Sequence, residues 1–126
     1  MATVRYIVDD LEKSIEFYKV HFGFTVDMHP SPYFAIISLG DLKLLLSVPN
    51  RQAGGGQSMP DGTTPSPGGW NRIQFEVKDI ESHVNALRAA GVSFRNDIVS
   101  GVGGKQILLD DPSGNPIELF EYYKTS

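Results

Sequence analysis

Apolar and polar positions alternate over residues 2–8, with Val4, Tyr6 and Val8 on one face and Thr3, Arg5 and Ile7 on the other. Period two marks a half-buried strand. The period then changes. Leu11, Ile15, Tyr18 and Phe22 are spaced 4, 3 and 4 apart, one stripe of a helix that Asp9 or Asp10 can cap and that Gly23 can end in the left-handed region. Apolar runs at 24–28, 33–39 and 42–48 predict three more strands, the last two joined at Gly40-Asp41 as a hairpin. The first part of the chain thus reads β-α-β-β-β.

The same order begins again at residue 72. Alternation over 72–77, a capping Asp79, a stripe of Ile80, Val84 and Leu87, a terminal Gly91, and apolar runs at 92–99, 105–109 and 116–122 predict a second β-α-β-β-β. Val77 matches Val8 and Asp79 matches Asp10 at an offset of 69, while Gly91 matches Gly23 at 68, so one residue is missing from the second helix. A repeated order of elements is stronger evidence than any single strand assignment. The predicted fold is α+β, two βαβββ modules in pseudo-twofold repeat whose curved sheets form a cup. Residues 1–126 form one domain, with modules at 1–48 and 70–126.

Between the modules, residues 49–69 hold six Gly and four Pro and hardly an apolar side chain. Such a composition offers little burial to offset the entropy of ordering, and it predicts a flexible linker or a ligand lid, the least ordered part of the chain. Residues 110–120 predict the opposite. Asp111-Pro112-Ser113-Gly114-Asn115 has the residue types of a tight turn. The strand after it sets Ile117 and Leu119 against Glu118, Phe120 and Tyr122.

Strand alternation places Val4, Tyr6, Val8, Ile73, Phe75, Val77, Ile117 and Leu119 under the helices. The opposite faces carry Thr3, Arg5, Arg72, Gln74, Glu76, Glu118, Phe120 and Tyr122. A concave surface with a few converging polar groups suits a small ligand. Composition narrows the choice. With no Cys, a thiolate metal site, a Cys nucleophile and disulfides are excluded, and a charge of −4 gives no footprint for nucleic acid or anionic lipid. No secretory or membrane-spanning segment is visible, so a cytoplasmic location is expected.

Three stretches, VDDLEKSIEFYKVHFGF (8–24), RIQFEVKDIESHVNALRAAGV (72–92) and DDPSGNPIELFE (110–121), resemble the vicinal-oxygen-chelate superfamily, the glyoxalase, bleomycin-resistance and extradiol-dioxygenase group. In metal-dependent members of that group, the resemblance implies, a divalent ion is held by side chains from the first and last strands of each module. Counting back seven from Asp10 and Asp79 gives Thr3 and Arg72. Counting four past Gly114 and Gly40 gives Glu118 and Leu44. Only Glu118 can coordinate a metal, since a guanidinium is a cation with no acceptor, so no metal or other cofactor is expected. His21 and His83 fall on helices, and His29 ends a strand beside two prolines, within reach of the cup rim.

Two functions follow. One is a metal-free protein that binds a small organic ligand, with Arg72, Glu118, Arg5 and Gln74 as polar contacts and Trp70, Tyr33, Phe120 and Tyr122 as stacking rings, although those aromatics equally suit core or interface packing. The other is a lyase, isomerase or dioxygenase in which Glu118 serves as a general base or a metal ligand, a role that a nearby Arg72 would oppose. Whether the chain is an enzyme stays open. Sheet faces bearing Phe120 and Tyr122 argue for a homodimer, as does the resemblance. Arg72 and Glu118 are expected to form an ion pair where relatives hold a metal.

Overall fold

Two four-stranded sheets, each with one helix, are built by the repeat. The protein is described here from a computed structural model covering residues 2–124. In the first sheet the strand order is β1 (Val4–Ile7), β4 (Leu42–Ser47), β3 (Phe34–Leu39), β2 (Thr25–Ser31), with α1 (Leu11–Phe22) between β1 and β2 in sequence. The second repeats it as β5 (Ile73–Glu76), β8 (Pro116–Tyr122), β7 (Gly104–Asp110), β6 (Val99–Ser100), with α2 (Ile80–Ala89) after β5. In each sheet the first and last strands pair in parallel and the others antiparallel. The expected α+β pseudo-repeat is therefore present. No helix among the described residues is long and apolar enough to cross a membrane.

Both helices start where a side chain can satisfy an orphan N–H. Asp10 accepts from Lys13 N at 3.0 Å and Asp79 from Ser82 N at 3.2 Å, caps of about 1 kcal/mol each. Gly23, at φ 77°, closes α1 by donating to Lys19 O. A residue with a Cβ would be strained in that conformation. The N-terminus of α2 has a second acceptor, Glu121 Oε1, 2.9 Å from Ile80 N.

One compact unit runs to Gly68 and includes Pro112–Asn115; the other holds Gly69–Asp111 and the chain from Pro116. In the first, Tyr6, Val8, Leu11, Ile15, Tyr18, Phe24, Ala35, Ile37, Leu44 and Leu46 form the core, while Val4, expected with them, is 38 % exposed at the start of its strand. In the second, Ile80, Val84, Leu87, Ile107, Leu109, Ile117 and Leu119 are buried. The turn at Pro112–Asn115 does more than reverse the chain. Buried Asn115 donates to Ile7 O at 2.7 Å and accepts from Gly68 N at 2.9 Å, and Ser113 Oγ accepts from Asp9 N at 2.8 Å.

One expected element differs. Residues 92–99 do not form one strand. The Asn96 side-chain oxygen takes the Leu108 N–H, and only a Phe94–Leu109 bridge and the two-residue β6 remain. A side chain that occupies a ladder position interrupts regular pairing. Within the segment 49–69, one part has local hydrogen bonds of its own. Asn50 Oδ1 accepts from Gln52 N and Ala53 N, and its Nδ2 donates to Val48 O and Ala53 O, which folds 50–57 into a compact loop around one amide. Gly56 in that loop is buried against Val48. Farther on, Asp61 accepts from Thr63 N, and this bond holds its carboxyl below the ordinary value.

Candidate functional site

Paired residues of neighbouring strands share a face, so the register Gln74–Glu118–Leu108 places these three side chains on one side of the second sheet. Alternation adds Arg72, Phe120 and Tyr122, and Asp110 at the end of β7. Glu118 is 6 % exposed, an unusual position for a carboxylate, and both of its oxygens have partners. Arg72 Nε and Nη2 both reach Oε1, at 2.9 and 2.8 Å, and Gln74 Nε2 donates to Oε2 at 2.7 Å. The expected ion pair is therefore formed. Gln74 Oε1 in turn accepts from the Tyr122 hydroxyl at 3.4 Å.

Arg72 has five N–H bonds. Two go to Glu118 and one, from Nη1, to Trp70 O at 3.2 Å. Its side chain is 29 % exposed, so the remaining donors can meet a ligand oxygen. Phe120 and Tyr122 lie side by side, with centroids 4.5 Å apart and planes at 51°. Gly104 makes room for that pair, because a Cβ there would collide with the Phe120 ring and the Glu121 carbonyl.

The structure brings Arg72, Gln74, Glu118, Phe120 and Tyr122 together on one sheet face, with Trp70 beside them. Arg5 and Tyr33 belong to the first unit. Arg5, on β1, packs its guanidinium against Gly55, and half-buried Tyr33 accepts from Val48 N through its carbonyl. His29 lies within β2 with Nε2 3.2 Å from Glu12 Oε1 of α1, so it faces the helix and not the opposite side of the sheet. His21 packs on Phe17, and His83 is exposed on α2.

Sequence counting missed a second ion pair on the same face. Arg95 Nε donates to Asp110 Oδ1 at 2.7 Å, and its Nη1 to Gly69 O at 3.0 Å. Its signal was weak, an isolated Arg in a run read as a strand. Counting also misplaced one position. Arg5 pairs with Leu45 as Gln74 pairs with Glu118, so the counterpart of Glu118 in the first module is Leu45. Leu44 is fully buried with the core. The hairpin before β4 has two residues and that before β8 has five, so distance from a glycine does not carry the register, and a slip of one reverses the face.

With this register the four positions at which the resemblance implies a metal in metal-dependent members hold Thr3, Leu45, Arg72 and Glu118. Glu118 alone offers an anionic ligand, and a guanidinium already lies on it, so the donor set does not fit a divalent ion. Among the described residues, Asp79, Glu81 and Glu121 bring carboxylate oxygens within 4.8 Å of one another at the start of α2. They are otherwise engaged. Glu121 caps the helix, and Glu81 bonds Lys105 Nζ at 3.0 Å, a contact that lowers the Glu81 carboxyl and raises the Lys105 amine.

Comparison with solved structures gives the same fold. A lactoylglutathione lyase from Agrobacterium tumefaciens superposes with a TM-score of 0.72 at 19% identity, covering 96% of this chain and 92% of its own. The fosfomycin resistance protein FosX from Listeria monocytogenes gives 0.72 at 18%, covering 98% and 93%. A glyoxalase/bleomycin resistance protein/dioxygenase from Nocardioides gives 0.74 at 24%, covering 100% and 85%. Among curated proteins, none is significantly similar in sequence. The sequence profile of one family matches residues 1–119. On that match, the chain belongs to the Glyoxalase/Bleomycin resistance protein/Dioxygenase superfamily.

Proposed function

We propose that the chain, a single domain of two modules joined by 49–69, binds a small organic ligand on the Glu118 face and does so without a metal. The observation that carries this reading is the Arg72–Glu118–Gln74 network. Glu118 fixes the guanidinium, and the free N–H groups of Arg72 offer positive charge where a metal would otherwise supply it. A carboxylate, phosphonate or polarised carbonyl is the matching ligand group. Gln74, Phe120 and Tyr122 would complete the pocket wall. A homodimer in the cytoplasm belongs to the same proposal, on the support of half-exposed Tyr122 and Tyr123 beside the site.

The alternative, an enzyme using Glu118 as base or metal ligand, has the lyase likeness behind it but less geometry. Oε1 already accepts two N–H bonds and Oε2 one, which leaves a single lone pair for a substrate proton. A thermal-shift screen of small anions and carbonyl compounds against wild type and Arg72→Met decides the matter. A ligand that stabilises wild type but not the variant supports the proposal. Equal stabilisation of both would remove Arg72 from the site.

A further inference from the structure

Trp70 is the only Trp of the chain and is 70 % exposed, although Trp is on average a highly buried residue. Exposure here does not mean looseness. Gly69 turns the chain at φ 92°, and the two peptide carbonyls that flank the Trp70 Cα are held by arginines, Gly69 O by Arg95 Nη1 and Trp70 O by Arg72 Nη1. The Arg95 guanidinium also lies over the indole, 4.9 Å from its centroid. Arg95 is itself fixed by Asp110 and by its own N–H on Leu108 O at 2.9 Å. An aromatic ring anchored at its backbone, covered on one face by a cation and otherwise open to solvent is a preformed stacking surface.

We infer that Trp70 is the stacking platform of the ligand site, that Arg95 is the positioning residue that holds it, and that the ligand is a flat aromatic or conjugated acid or carbonyl. Its ring lies on the indole while its oxygen reaches Arg72, which donates to Trp70 O from the same guanidinium. The inference rests on the reading that ligands are held at Arg72, and it adds the chemical class.

Because Trp70 is alone, intrinsic fluorescence of the full chain reports on this ring directly. The probes are benzoate and its saturated counterpart cyclohexanecarboxylate, which share charge and approximate size, titrated by fluorescence and by calorimetry. Benzoate is expected to change the Trp70 emission saturably and to bind about tenfold more tightly, the upper range of a ring-stacking contact. Arg95→Met should erase most of that difference and make the indole easier to quench with acrylamide, and Arg95→Lys should recover part of it. Trp70→Leu, read by calorimetry, should do the same without touching Arg95. Equal affinities of the two acids, or a preference for benzoate that survives Trp70→Leu, overturn the platform. If both acids bind equally and both depend on Arg72, the platform alone has failed. If benzoate quenches Trp70 but ignores Arg72→Met, the assignment of its oxygen to Arg72 has failed, and this inference with it.

Discussion

Removing either member of the Arg72–Glu118 pair perturbs two environments that differ in exposure. The Glu118 side chain is 8 % exposed, and Arg72→Met leaves its carboxylate with only Gln74 as donor. Loss of a charge-assisted bond to a buried acceptor costs about 2–3 kcal/mol, below the cost at a fully dry site because Arg72 is 29 % exposed and water can enter where it stood. Glu118→Gln leaves a guanidinium that reaches solvent and still bonds Trp70 O, and should cost less, about 1–2 kcal/mol. The double variant strands no charge and should cost about 2 kcal/mol, so the coupling energy is at least about 1 kcal/mol. Urea denaturation of the four proteins at pH 7 measures it. A coupling below about 0.3 kcal/mol would show that the two side chains do not support each other.

Other residues give independent checks. Ser14 is fully buried on α1, and its Oγ has no partner, so Ser14→Ala should raise stability by about 1 kcal/mol, a few degrees in the melting temperature. Asn50→Ala removes four hydrogen bonds at once from the 50–57 loop and should cost about 1–2 kcal/mol, with faster amide exchange at Gln52 and Ala53. The Glu81–Lys105 pair gives a pH signature. Glu81 is lowered in the fold, so its contribution is present above the ordinary value of 4.5 and is lost as pH falls through the folded value. Lys105 is raised, so its contribution is present below 10.5 and is lost as pH rises through the folded value. Lys105→Met should flatten the stability profile at both ends, as denaturant titrations across pH will show.

The repeat was legible because periodicity and caps are local. Asp10, Asp79 and Gly23 act within one helical turn of where they stand, and strand alternation placed Glu118 and Arg72 on one face. What escaped depended on contacts distant in sequence. Asn115 reads as a turn residue, yet it bonds Ile7, 108 positions away. Composition does not show that one amide, that of Asn50, gathers four hydrogen bonds within 50–57. The exchange of Leu44 for Leu45 came from treating two hairpins of different length as equivalent. Arg95 went unnoticed because its partner Asp110 is 15 residues away, on a strand that pairs only irregularly with the segment carrying Arg95.

Calorimetric titration of the chelator-treated, untagged protein with Zn²⁺, Mn²⁺ and Ni²⁺ tests most directly the proposal that a guanidinium takes the place of a metal beside Glu118. The account predicts no stoichiometric site that depends on Glu118: any uptake should be weak and unchanged in Glu118→Gln. Binding of one ion per chain at micromolar or tighter affinity, abolished by Glu118→Gln, would contradict it.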